Sequence, residues 1–406
     1  MKRQLMAGAA MAGVLALTAC SGGSATGSQT AESLVWSMWI AGQEDQAAWQ
    51  TVADEVKSSD KIDVTIQGAP FSDYWTKLRT QLSAGTAPCI VTVQSLRAAN
   101  YTDVLLPLDD LAKSSGTALD EFDATALDAM KVDGKLYALP YDTGPLVMFY
   151  NKDLFAEAGV AEPKPGWTVD DFEAAGEALK SAGKQLYAPS AEDLYLESMI
   201  LSYNGGRVVS EDGSLDVTNA KFAAGLEWIA GLVKDGYATP ASADSSADDN
   251  AFINGQAATY VDGPWSLINT KAKATFDVGV VTLPAGSAPT TFSAGSGFGV
   301  SKECKYPEQA YQAITTMTSE DVLSTLGKEG RAFPARTTAQ GAWFDNAGID
   351  GVEESFAAAQ DGSVPLPGNK NSDQLAQLMS QYAIQAMNGQ QSGAEVLDQI
   401  SSQLPK

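Results

Sequence analysis

The sequence predicts an α/β protein of two lobes, joined by a multi-segment hinge with a ligand cleft between the lobes. Three observations carry this. The 406-residue chain is too long for one compact core and too short for three generous domains. Strand and helix signals alternate from the start, which is the pattern of a wound sheet. The blocks also come in a telling order: a wound domain, a second α/β block, one more strand–helix unit, then terminal helices. That order makes the chain cross between lobes more than once. Several crossings form a hinge, and hinged lobes close on ligands placed between them.

Taken in order, Leu34 to Trp39 reads as a buried strand. A helix is expected over Glu44 to Val56, with Ala48, Val52 and Val56 on one face. Ile62, Val64 and Ile66 alternate as a second strand. Tyr74, Leu78 and Leu82 follow at helical spacing up to Gly85, and Ile90 to Val93 is a third strand. This β-α-β-α-β run places loops at the carboxyl ends of its strands, where open α/β sheets bind ligands. Leu146 to Tyr150 is another strand, and Asn151-Lys152-Asp153 opens a helix. Thr168 is a good N-cap, Asp170 and Asp171 suit the first turn, and Phe172, Ala175 and Leu179 face one way until Gly183. Phe222, Leu226, Ile229 and Val233 mark a helix between Asn219 and Gly236. Residues 241–250 are polar, acidic and loop-like. Phe276 to Leu283 and Phe298 to Val300 read as strands. Pro307 opens a helix carrying Ala310, Ile314 and Met317 on its face, and the tail from Ser372 to Gln403 is largely helical.

Composition narrows the chemistry. The chain has 26 Lys+Arg against 50 Asp+Glu, a net charge of −24. Such acidity argues against nucleic acid and against adsorption to anionic membranes. There is no histidine, which excludes Ser-His-Asp and Cys-His hydrolysis, His-based zinc sites and His proton shuttles. The acidic run Asp244–Asp249 lacks the glycine and terminal glutamate of a calcium loop, so no metal is expected. No motif calls for a cofactor.

The N-terminus is a leader. Lys2 and Arg3 precede an apolar stretch from Leu5 to Leu17 that is too short to span a bilayer. Leu17-Thr18-Ala19-Cys20 then resembles a bacterial lipobox, with Cys20 as the lipidated residue. The expectation is a signal peptide over 1–19, whose removal makes the chain still more acidic. A lipidated, flexible Ser/Gly-rich leash follows over 20–33. The protein is then exported and lipid-anchored on the outer face of the bacterial cytoplasmic membrane, touching the membrane through that anchor only. Cys89 and Cys304 remain, in a setting that permits a disulfide.

Several strings resemble one family. Phe71-Ser72-Asp73-Tyr74-Trp75-Thr76-Lys77-Leu78 leads into Ala84-Gly85-Thr86-Ala87-Pro88. Asp133 to Pro140 leads into Phe149-Tyr150-Asn151-Lys152-Asp153-Leu154-Phe155. Gly166-Trp167-Thr168, Phe252 to Ala257 and Asp262-Gly263-Pro264-Trp265 follow in the same order. Together they are similar to the solute-binding proteins of carbohydrate ABC transporters, the maltose-binding-protein-like family. The resemblance implies a periplasmic-binding-protein-like fold. Lobe 1 would comprise 34–142 plus 294–337, and lobe 2 143–293 plus 338–406. It implies a monomer that takes a carbohydrate and hands it to the transmembrane subunits of an ABC importer, with no covalent chemistry. The family usually has aspartate where this chain has Cys89. In the family, the strand matching Phe298–Val300 lies antiparallel beside the one after Cys89, which would bring Cys304 close. A Cys89–Cys304 disulfide is therefore expected, the alternative being two separately buried thiols.

A sugar site needs aromatic faces and polar groups for hydroxyls. Trp265, after the Gly-Pro turn, matches a tryptophan that stacks on sugar in the family; otherwise it buttresses the hinge. Gln43 and Glu44 match a polar pair in the loop after the first strand, though Glu44 also suits a helix N-terminus. Trp39 is platform or core. Gln94 and Arg97 end the third strand, and Arg97 matches a family arginine or makes a surface ion pair. Tyr141 and Asp142 lie at the first crossover. Counting back from Gly205-Gly206, the resemblance puts Asp193 on a ligand-binding glutamate of the family and Tyr195 on its stacking tyrosine, the alternative for Asp193 being a helix-start residue. Tyr74 fits a ligand role and a core role equally. Gly295 and Ser296 sit at a second crossover, and Arg331 near a third. The alternatives to a sugar binder are a binder of another solute class and a secreted glycosidase using two carboxylates.

Overall fold

A computed structural model describes residues 29–40, 42–244, 246–286 and 291–405; the side chains of Glu44 and Ser72 are not described. The signal peptide and Cys20 lie outside the described residues.

Twelve strands are present among the described residues. They are β1 (Ser33–Trp39), β2 (Asp63–Ala69), β3 (Ile90–Gln94), β4 (Lys131–Val132), β5 (Lys135–Leu136), β6 (Leu139–Pro145), β7 (Val147–Asn151), β8 (Gln185–Ala188), β9 (Ala257–Asp262), β10 (Val278–Val281), β11 (Thr291–Val300) and β12 (Ser363–Pro365). The larger sheet runs β12–β11–β3–β1–β2, with β6 also paired to β11, and the smaller runs β10–β7–β9–β8. β1 pairs in parallel with both β2 and β3, as helical crossovers require.

Each sheet has its own core. Leu34, Trp36 and Met38 of β1 pack with Trp49, Val52 and Val56 of the helix Gln43–Asp60, in a cluster drawn from 34–141 and 298–339. Three further clusters draw on 146–294 and 333–404, with Leu96 reaching into one of them. Local signals explain several elements. Thr168 and Asp171 close a capping box on the helix Val169–Ser181. The Asn219 side chain accepts from Lys221 N and Phe222 N at the start of Ala220–Lys234.

Three chain segments run side by side between the cores. β6 and β11 are antiparallel, with a register shift between Ser296 and Gly297. Beside them, Thr143 N donates to Phe333 O and Ala335 N donates to Tyr141 O, each at 3.0 Å. The glycines of β11 make this closeness possible. A Cβ on Gly295 would lie 2.6 Å from Asp142 O, and one on Gly297 2.8 Å from Leu139 O. Cys89 and Cys304 are joined by a disulfide, with Cα atoms 4.7 Å apart.

The structure departs from expectation in places. The segment 29–33 is not leash: the Gln29 side chain accepts from Val35 N and Cys89 N, Thr30 bridges Ser33, and β1 already begins at Ser33. β11 is ten residues long, not three, because β3, β6 and β12 all pair with it. The strand expected over Phe276–Leu283 is confined to Val278–Val281. Residues 247–253 form a helix, with Ala251 and Phe252 buried, where a loop was expected. β12, in a segment expected in the second lobe, pairs with Thr291–Ser293 of the larger sheet.

Candidate ligand cleft

A cavity of about 370 Å³ opens where β1, β3, β6 and β11 of the larger sheet face the second set of cores. From the larger sheet and its loops it is lined by Trp39, Gln94, Arg97, Tyr141, Asp142, Gly295, Ser296 and Arg331. Asp193, Tyr195 and Trp265 line it from the other side. The parallel strands β1 and β3 end at this cavity, and the crossover strands form its back wall.

Trp265 stands in the first turn of the helix Pro264–Lys273, after β9. Its ring lies against Gly263, where a Cβ would come within 2.2 Å of it. Tyr195 is half-buried in the first turn of the helix Asp193–Asn204. Burial pushes its hydroxyl well up in pKa; Asp262 and Glu192 add to the rise, and a hydrogen bond with the Trp265 side chain opposes it. Trp39 is half-buried and meets Phe71 and Tyr74 edge-to-face, with ring centres 5.5 and 5.3 Å apart. It thus lines the cavity and packs against the core of the larger sheet at once. Tyr141 is buried, stacked on Phe298 at 4.7 Å.

The polar groups are held as firmly. Ser296 N donates to Asp142 Oδ1 across the β6–β11 pair. Burial nevertheless pushes the Asp142 carboxyl up to about 7. Arg97 is no lone surface residue. Its Nε donates to Asp373 Oδ1 at 2.7 Å, one terminal nitrogen donates to Gln94 Oε1, and its guanidinium carbon lies 4.7 Å from the Trp75 ring centre. Arg331 pairs with Asp45 at 3.7 Å.

Two expected residues are elsewhere. Tyr74 is buried in the core of the larger sheet, with its hydroxyl donating to Thr92 O at 2.7 Å. Nothing of it faces the cavity, and helical spacing could not separate the two roles. Gln43 is exposed at the helix start and is not among the lining residues; Asp45, two positions on and on another face of the helix, is. The Glu44 side chain lies outside the described residues.

Other lining residues went unnamed in the sequence. Trp49 and Phe71 line the cavity, as do Glu192, Asn269 and Gly330. Phe71 stood within a quoted family string, and Glu192 directly precedes Asp193. Burial, helped by Asp193 and Asp248, pushes the Glu192 carboxyl up to about 7. Asp262, just before Gly263, is pushed up to about 7 as well, again chiefly by burial. Near neutral pH such carboxyls donate as well as accept hydrogen bonds. The arrangement combines aromatic faces with donors and acceptors of both kinds, which suits a polyhydroxylated molecule.

The family model described as bacterial extracellular solute-binding protein matches residues 51–349. The chain belongs to that family. The family is one of binding proteins outside the cell, so this chain is exported. Among curated relatives, the diacetylchitobiose binding protein DasA of Streptomyces coelicolor is 26% identical over 392 residues, 90% of this chain and 89% of that one. A protein of Brucella abortus described as a binding protein is 24% identical over 277 residues; the match takes in 64% of this chain and spans only 65% of that relative's length. Among solved structures, an ABC substrate-binding protein of Listeria monocytogenes in complex with cycloalternan superposes with a TM-score of 0.80. It is 22% identical, and the match covers 91% of this chain and 97% of that one. The two-lobed solute-binding fold and its cleft are thereby shared. Among the described residues, no helix is long and apolar enough to cross a membrane.

Proposed function

We propose that this chain captures a sugar or oligosaccharide outside the cell and delivers it to the transmembrane subunits of an ABC importer. The single observation that carries this is the cleft itself. Half-buried Trp39, Tyr195 and Trp265 meet there with Gln94, Arg97, Asp142 and Asp193. Aromatic planes take the C–H faces of a sugar, and the amide, guanidinium and carboxyl groups take its hydroxyls. The ligands of the Streptomyces and Listeria proteins, diacetylchitobiose and cycloalternan, support a carbohydrate.

In this proposal the lobes comprise 34–142 with 294–337, and 143–293 with 338–406, and close over one ligand. The protein acts as a monomer and makes or breaks no covalent bond. A lipid on Cys20 holds it at the outer face of the cytoplasmic membrane. A thermal-shift screen against mono- and oligosaccharides tests the proposal, because a ligand that binds only the folded state raises the melting temperature. One sugar family should shift it, with no product released on prolonged incubation. A flat response to every sugar would overturn the carbohydrate assignment, and product formation would establish a glycosidase instead. Mass spectrometry of the membrane-extracted protein, searched for a diacylglyceryl N-terminal cysteine, tests the anchor.

A further inference from the structure

We infer that the ligand is a linear oligosaccharide longer than a disaccharide, with its outer units lying in a groove beyond the cleft. This rests on the carbohydrate assignment above and adds the length of the chain. The cleft cavity is near the low end of the roughly 300–1,000 Å³ usual for small-molecule sites. It continues into a larger groove of about 1360 Å³, and the two share Phe71, Arg97, Glu192 and Asp193.

The walls of the groove are two helices. Thr76, Thr80 and Ser83 project from Phe71–Ser83, and Gln374, Gln377 and Gln381 from Ser372–Met387. Spacings of three and four residues put each trio on one face. The result is two facing rows of neutral donors and acceptors, matched to hydroxyls along a chain; of the cations beside them, Arg79 and Arg97 are paired with Asp373, and Lys370 lies at the same wall. Asp373 fixes the separation of the rows: it pairs with Arg79 of the opposite helix at 2.5 Å and with Arg97 at 2.7 Å.

Two observations at the inner end of the groove also point to a ligand. Phe71, at the junction of cavity and groove, is 43% exposed and is the only large hydrophobic side chain so exposed among the described residues. A sugar ring passing from cleft to groove would cover it. Trp75 lines the groove, is only 8% exposed, and its indole N–H has no hydrogen-bond partner. A buried donor without a partner is costly, and a sugar hydroxyl would satisfy it.

The test is titration calorimetry of the full chain with malto-, cello-, chito- and galacto-oligosaccharides of two to six units. In the series that binds, affinity should rise at least tenfold from the dimer to the tetramer. The double variant Thr80→Ala, Gln377→Ala should lose that rise while binding the dimer within twofold of wild type. A dimer bound as tightly as the tetramer, or a rise that survives the double variant, overturns the length inference and leaves sugar capture standing. No heat with any member of any series overturns the length inference, and overturns sugar capture too where the mono- and oligosaccharide thermal-shift screen is also flat.

Discussion

The Trp265 ring covers Gly263 so closely that there is no space for a methyl group beneath it. Its placement is therefore set by the backbone as well as by neighbouring side chains. Trp265→Ala should weaken sugar binding at least tenfold, about 1.4 kcal/mol, measured by calorimetry on a folded variant. Gly263→Ala should weaken it too by displacing the ring, with little change in melting temperature. Asp142 makes a different prediction. Its folded-state pKa of about 7 lies above the ordinary 3.8, so the folded protein keeps a proton that the unfolded chain releases. Asp142 therefore costs no stability below about pH 4, and a penalty grows as the pH rises through about 7. Asp142→Asn removes that penalty. In denaturant melts the variant should gain on wild type between about pH 5 and pH 8; a constant difference would refute the assignment. Single residues were unevenly legible in the sequence. Trp265 could be found because Gly-Pro-Trp follows a strand. Tyr74 could not be placed, because one helical periodicity serves core and cleft alike. Asp373 was out of reach: its partner Arg97 is 276 positions away.

Elements were most legible where a local signal and burial agree. The helix Val169–Ser181 has its capping box and its apolar face in register, and the expected start stands. β11 shows the opposite case. After Thr291 and Phe292, its first half runs Ser293-Ala294-Gly295-Ser296, small residues with weak strand preference, and pairing with neighbours makes it a strand. The helix over 247–253 hid behind acidic residues that suit a helix N-terminus as well as a loop. The disulfide belongs to this scale as well. It ties the residue before β3 to the turn after β11, across a sequence separation of 215. Cys304→Ser should cost about 2–5 kcal/mol in chemical denaturation. Thiol titration of the unfolded, unreduced protein should find neither Cys89 nor Cys304 reactive.

At the scale of the molecule, two lobes could be read from the order of blocks, because repeated crossings leave few topologies. The groove could not, since its walls come from helices nearly 300 residues apart. Asp373 is the polar link between those helices, and its Arg97 partner is mostly buried. Asp373→Asn should loosen the link between these helices, weakening ligand binding severalfold, chiefly through faster dissociation in stopped-flow measurements. An unchanged off-rate would show that the ion pair plays no part in closure.

The three crossover segments have a mechanical consequence. β6, β11 and the stretch 333–335 lie side by side, with β6 hydrogen-bonded to both of the others. A ribbon so joined moves as one strap, because displacing one segment alone would break its hydrogen bonds to the next. Opening of the lobes should therefore carry all three segments together, and one pair of fluorophores, one on each lobe, would report it.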